Sequence, residues 1–68
     1  MSDTRIDILN LAEKLIRQRG YNAFSYKDIS VPLRIKNAAV HYHFPSKADL
    51  GIAIIERTRM HFARDAKK

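Results

Sequence analysis

The amino-acid sequence predicts an all-α fold of four helices, and three observations lead to that prediction. Apolar residues recur at intervals of three and four along the chain, which is the period of a helix that packs on one side. Two Ser-x-x-Asp sequences and a proline mark places where helices begin or end. No stretch shows the alternation of apolar and polar residues that is typical of a strand.

The first helix is predicted over residues 4–19. Its apolar side chains lie on one face, and they are Ile8, Leu9, Ala12, Leu15 and Ile16. Asp3 or Thr4 can cap its first turn, because a short polar side chain accepts hydrogen bonds from the free N–H groups there. Gly20 supplies the left-handed backbone position that commonly ends a helix.

A second, short helix is predicted over residues 26–33. Ser25 and Asp28 have the spacing of a capping box, in which each residue bonds to the backbone of the other. Pro32 lacks an N–H group and crowds the preceding turn, so we expect the helix to end or kink near it. Two aromatic residues before this helix are expected to belong to the core: Tyr21 and Phe24.

Residues 37–44 and 47–65 are predicted to form the third and fourth helices. Pro45 separates them, because the residue before a proline is disfavoured in helical conformation. Ser46 and Asp49 form a second capping box at the start of the fourth helix. The fourth helix carries a second apolar face, made of Ile52, Ile55 and Phe62. Two short helices joined by a tight turn are the pattern of a helix-turn-helix motif.

The third helix is predicted to have an inner and an outer side. Val40 and Phe44 are four residues apart, so they lie on one face and are expected to pack against the first two helices. The side chains expected to point outward are Ala38, Ala39, His41, Tyr42 and His43. Small residues permit close approach to a large partner, and the polar rings can bond to phosphates or bases. His43 has an equally good alternative as a partly buried histidine bonded to backbone.

The charge distribution indicates a polyanionic partner. The chain of 68 residues has a formal net charge of +6 and a pI near 10.1. No Asp or Glu occurs from Ile29 to Ala48, a segment that contains Arg34, Lys36 and Lys47. Lys47 falls in the first turn of the fourth helix, where the helix dipole already favours an anion. A lysine does not complement the positive end of the helix dipole, but a phosphate bound at that end would explain it.

Other classes of protein are disfavoured by what the sequence lacks. There is no cysteine, and His41 and His43 would point roughly 200° apart on a helix, so we expect no metal site. No Ser/His/Asp set, carboxylate pair or glycine-rich phosphate loop is present, and we therefore expect neither an enzyme nor a cofactor. No apolar run approaches the roughly 18 residues that span a membrane, and the first residues do not form a signal peptide. A cytoplasmic protein is expected.

The segment "SYKDISVPLRIKNAAVHYHFPSKADL", residues 25–50, resembles the DNA-binding region of the TetR/AcrR family of bacterial transcriptional regulators. The preceding "LIRQRGY" is similar to the end of the first helix in that family, and "HYHFPSKADL" is the most specific part of the match. The resemblance implies one helix-turn-helix domain over residues 1–68, with a homeodomain-like three-helix core followed by the start of a connecting fourth helix.

The resemblance also implies a function and its residues. The third helix would enter the major groove of duplex DNA as part of a repressor. The residues at DNA-contacting positions are Tyr26, Lys27, Lys36, Asn37, Ala38, Ala39, His41, Tyr42, His43 and Lys47. Family members continue into a lobe that forms a homodimer and binds a small effector, which this fragment would not bind. The chain stops at Lys68, so an excised domain or a truncated product is expected.

Four positions depart from the family pattern, and one of them is Pro32, which is unusual within the second helix. Arg34 stands where the turn usually has glycine, Lys36 replaces a Ser/Thr cap, and His41 replaces a frequent tyrosine. Two other functions remain open from the residues alone. One is a small basic protein-interaction module that uses the apolar faces of the fourth helix, and the other is a cationic peptide of the membrane surface. Steep weakening of binding with salt would favour DNA over apolar docking.

Overall fold

The computed structural model describes the backbone of residues 3–66 and the side chains of residues 3–60. Four α-helices make up the described chain: α1 (Thr4–Arg19), α2 (Lys27–Leu33), α3 (Asn37–His43) and α4 (Lys47–Ala66). A single 3-10 turn, Tyr21–Ala23, joins α1 to the segment before α2 and was not predicted. The described backbone contains no strand, and the all-α prediction is confirmed.

Both ends of α1 follow from its sequence. The Asp3 carboxylate caps the first turn by accepting the backbone N–H groups of Arg5 at 2.9 Å and Ile6 at 3.4 Å. At the other end Gly20 has a φ of 88°, which an L side chain rarely adopts. The Gly20 N–H donates to the carbonyl oxygen of Ile16 at 2.8 Å and closes the last turn.

The core lies where α1, α2 and α3 meet, and the first half of α4 closes one side of it. Its buried apolar members are Ile8, Leu9, Ala12, Leu15, Phe24, Tyr26, Ile29, Val40, Phe44, Leu50 and Ile54. The prediction that Tyr21 belongs to this core is wrong, because the residue is 39% exposed. Its ring lies over α4 instead, at Gly51, where an added Cβ would come within 3.1 Å of it.

The two predicted capping boxes differ in completeness. At α4 the box is reciprocal, since Ser46 N–H donates to Asp49 at 3.0 Å and Asp49 N–H donates to Ser46 Oγ at 3.2 Å. At α2 only one half forms, with Ser25 N–H donating to Asp28 at 2.8 Å. That bond is the largest cause that holds the pKa of Asp28 below its ordinary value. The helix begins at Lys27, one residue later than predicted.

The turn between α2 and α3 keeps its tight shape without a glycine. Arg34 adopts the left-handed conformation, with φ 58° and ψ 41°, at a cost of about 1–2 kcal/mol for an L side chain. Its N–H donates to the carbonyl oxygen of Val31 at 3.1 Å, and Ile35 N–H donates to that of Ser30 at 3.0 Å. Pro32 lies inside α2, and the helix ends directly after it at Leu33.

A polar contact fixes the outer part of α4 against α1. The Arg57 guanidinium donates to Asn10 Oδ1 at 2.8 Å and also to the Glu13 carboxylate. Glu13 is shared with Arg17 on its own helix at 3.5 Å. These groups orient α4, while its inner apolar residues supply most of the burial. In the part of the chain that the structure describes, no helix is long and apolar enough to cross a membrane.

Candidate nucleic-acid interface

The helix α3 has the two sides that its sequence predicted. Val40 is fully buried and Phe44, directly after the helix, is only 2% exposed. On the opposite side the exposed residues are Ala38, His41 and Tyr42, and Ala39 and His43 are half-buried at the margins. Asn37 is also exposed, but it lies nearer to the face of Val40, three residues further on. Tyr42 is 81% exposed, the highest value among the large hydrophobic side chains of residues 3–60. The outer side of α3 therefore carries small residues and polar rings. We call this side the α3 outer face, and its residues are Ala38, Ala39, His41, Tyr42 and His43.

The rings of the α3 outer face make two aromatic contacts, one within the face and one with the buried Tyr26. Tyr42 and His43 meet edge to face with ring centroids 5.1 Å apart. His41 lies over Tyr26, with centroids 4.7 Å apart and a tilt of 53°. Such aromatic contacts restrict the orientations of the rings before any partner arrives. Within the described residues no group of three His, Cys, Asp or Glu side chains could hold a metal ion.

Asn37 connects α3 to α2. Its Oδ1 accepts a hydrogen bond from Ser30 Oγ at 2.6 Å, and Ser30 is only 4% exposed. With the oxygen occupied, the amide group of Asn37 can still donate to an outside acceptor. The sequence analysis missed Ser30, because a serine within an amphipathic helix gives no signal that it will meet a residue of the next helix.

Tyr26, one of the residues predicted to contact DNA, has its side chain in the core. Only 8% of the residue is exposed, and its hydroxyl donates to the carbonyl oxygens of Phe44 at 2.8 Å and Ser46 at 2.6 Å. Burial is the largest cause that raises the pKa of its phenol, and the nearby Asp49 carboxylate adds to it. Through its hydroxyl, Tyr26 therefore connects the start of α2 to the segment between α3 and α4. Its position in a predicted first turn gave no sign of this burial.

Removing the Tyr26 hydroxyl is expected to lower stability and leave base preference unchanged. Tyr26→Phe would leave the buried carbonyl oxygen of Phe44 without its donor, which costs about 1–3 kcal/mol, whereas the carbonyl oxygen of Ser46 also accepts the N–H of Leu50. Urea denaturation followed by circular dichroism measures this loss. Tyr21→Phe serves as the matched control, because that residue is partly exposed and should change stability little. Equal stability of Tyr26→Phe and the parent chain would contradict the assigned role.

Lys47 has an internal contact that the sequence analysis did not predict. Its ammonium donates to the carbonyl oxygen of Phe24 and lies 4.3 Å from the Phe24 ring centroid. The Tyr21 ring lies on it as well, at 5.0 Å. The side chain is half-buried, so part of its charge is directed toward its own chain. Contact of Lys47 with a phosphate stays a prediction.

Exposed cations precede α3 in the chain, and two of them lie in the turn directly before it. Lys27, Arg34 and Lys36 are all exposed, and the segment from residue 29 to 48 contains no carboxylate. The Asp28 carboxylate, which lies just before that segment, is 3.7 Å from the guanidinium of Arg19. A positive rim beside an exposed helix of small and ring-bearing residues suits the phosphates and base edges of a nucleic acid.

The fold and this surface define the class of the protein as a helix-turn-helix domain, in which α2 supports α3 and α3 presents its outer face. A sequence model of the family described as "Bacterial regulatory proteins, tetR family" matches residues 8–63. The chain belongs to the TetR family, and it forms the N-terminal DNA-binding domain of such a regulator.

A solved structure agrees with that assignment. The crystal structure of a TetR transcriptional regulator from Legionella pneumophila superimposes with a TM-score of 0.88 at 52% sequence identity. The match covers 94% of this chain and 34% of that chain, so this chain spans about a third of the relative's length. No curated protein matches this sequence.

Proposed function

We propose that this domain binds duplex DNA in a sequence-specific manner, with α3 in the major groove, and that the regulator it belongs to is a repressor. The observation that carries the proposal is the α3 outer face, which is exposed, free of carboxylates and bordered by cations. A bound regulator occupies DNA that other proteins would need, and this is the reason to assign repression. Such a regulator would act in the cytoplasm, where bacterial DNA lies.

The dimensions of α3 support entry into the groove. Seven residues at about 1.5 Å each give a helix about 10 Å long, and the major groove of B-DNA is about 12 Å wide. Ala38 lets the backbone approach, and Tyr42 can contact base edges or a thymine methyl group. The residues proposed to touch DNA from this helix are Asn37, Ala38, Ala39, His41, Tyr42 and His43. Lys27, Lys36 and Lys47 are proposed to bind phosphates.

The complete regulator is proposed to be a homodimer. The helix-turn-helix of one subunit reads one half-site, and a two-fold dimer places two such helices about one turn of DNA apart. This chain spans about a third of its solved relative, and we propose that a further part of the complete regulator forms the dimer and binds a small effector. The isolated domain should therefore bind DNA weakly, because it lacks the gain from a linked second site.

Selection of bound sequences from random duplex DNA tests the proposal. We expect the selected sequences to share a short motif, and we expect Tyr42→Ala to weaken binding to it by about 10–100-fold and to change the preferred base. Met60→Ala is the control, because it removes another exposed large side chain from the distant part of α4. No enrichment of any motif, with binding that is insensitive to salt, would reject the proposal.

One observation favours the alternative function, a protein-interaction module on α4. A groove of about 520 Å³ is lined almost wholly by apolar groups, and its lining residues are Ile16, Tyr21, Ala48, Gly51, Ile52, Ile54 and Ile55. Ile52 and Ile55 are 54% and 60% exposed. Phe62, predicted to share this face, lies outside the residues whose side chains the structure describes. Binding at this groove should persist in high salt, whereas phosphate binding should not.

A further inference from the structure

Arg5 lies beside the C-terminal end of α3 although it belongs to α1. It occupies the first turn of α1 and is exposed. Its guanidinium carbon is 5.1 Å from the centroid of the Phe44 ring, in the geometry of a cation–π contact. Phe44 directly follows the last residue of α3 and is almost fully buried. The buried ring of Phe44 thus positions the exposed guanidinium of Arg5 beside the C-terminal end of α3.

The guanidinium of Arg5 is not occupied by an acid of its own chain. In the described residues it forms no ion pair, and the nearby Asp3 carboxylate is engaged in capping α1. Its five N–H donors match the geometry of a phosphate. Lys47 is the other cation near this end, but its ammonium donates to the Phe24 carbonyl oxygen.

The charges at both ends of α3 matter for DNA binding, because the helix is short. A helix that fills a groove about 12 Å wide has both of its ends within a few Å of the phosphate backbones that border the groove. Lys36 precedes the first residue of α3 and serves the N-terminal end. The C-terminal end carries the negative pole of the helix dipole, which repels a phosphate unless a cation lies between them. Arg5 is the exposed cation at that place.

We propose that Arg5 binds a DNA phosphate at the C-terminal end of α3, on the strand opposite the one that Lys36 meets. This inference rests on the proposed entry of α3 into the major groove. The Phe44 ring orients the guanidinium in the free protein, so less side-chain freedom is lost when the phosphate binds. The contact supplies affinity and register and carries no information about base sequence.

The salt dependence of DNA binding tests Arg5 directly. With the whole chain and a mixed-sequence duplex, the slope of log affinity against log salt should become shallower by about 0.9 in Arg5→Gln, because one fewer counterion is released. Affinity at low salt should fall several-fold, and the base preference found by selection should stay the same. Arg5→Lys keeps the charge and should retain most of the slope.

Arg17→Gln is the matched control. It removes the same charge from the opposite end of the same helix, where Arg17 is exposed and forms an ion pair with Glu13. A change of slope in Arg5→Gln that is absent in Arg17→Gln supports the proposal. Equal slopes in both variants overturn it, provided that thermal denaturation shows both to be folded. Failure of the parent chain to select any duplex sequence would instead overturn the proposed function itself.

Discussion

Ala38→Glu is expected to lower DNA affinity by at least about 100-fold while the domain stays folded. Ala38 is exposed in the first turn of α3, at the centre of the surface proposed to enter the groove. A carboxylate there would face the phosphates and the acceptor-rich base edges, and like charges at an interface cost several kcal/mol. The same carboxylate suits the positive end of the helix dipole, and glutamate is a good helix former. Stability should therefore change by less than about 0.5 kcal/mol.

Two control variants separate the effect of a carboxylate at position 38 from the effect of side-chain size and from the effect of the net charge of the chain. Ala38→Gln has the same shape as the glutamate without the charge, so it should lose much less affinity than Ala38→Glu. Gln18→Glu adds one negative charge at an exposed position near the end of α1 and should weaken binding only slightly. Fluorescence anisotropy of a labelled duplex measures all three. Retained binding of folded Ala38→Glu would show that the α3 outer face is not the DNA-binding surface.

Features set by neighbours in sequence were predictable. The ends of α1 follow from the Asp3 cap and from Gly20, whose positive φ an L side chain would resist. The inner side of α3 follows from the four-residue spacing of Val40 and Phe44, both of which are buried. In each case the cause lies within one turn of helix, so the local pattern contains the information.

Features set by contacts between distant segments were not predictable from the pattern. Tyr26 was expected at a helix surface, but its hydroxyl meets the carbonyl oxygen of Phe44, 18 residues away. Lys47 was expected to face a phosphate, and its ammonium contacts Phe24, 23 residues away. The contact between Arg5 and the Phe44 ring was not predicted, because nothing in the sequence of the first helix indicates which ring Arg5 will contact. Such contacts depend on how α1, α2 and α3 cross, which periodicity leaves undetermined.

Two of those distant contacts, from Tyr26 and from Arg5, involve the same residue, Phe44. Its ring is buried in the core, the guanidinium of Arg5 lies over the face of that ring, and its carbonyl oxygen accepts a hydrogen bond from the hydroxyl of Tyr26. The residue also ends α3, with its N–H donating to the carbonyl oxygen of Val40 at 2.9 Å. We therefore expect the orientation of α3 to depend strongly on this side chain.

Phe44→Ala is consequently expected to cost about 3–5 kcal/mol of unfolding free energy. A domain of this size has only about 5 kcal/mol available, so a large fraction of the chain should unfold and DNA binding should disappear with the fold. Phe44→Leu keeps most of the volume and should cost less than about 1.5 kcal/mol. Tyr42→Ala, two residues away and exposed, should leave the urea midpoint unchanged even though it weakens DNA binding. A cooperative urea transition for Phe44→Ala at the parent midpoint would mean that packing at the end of α3 does not hold the recognition helix in place.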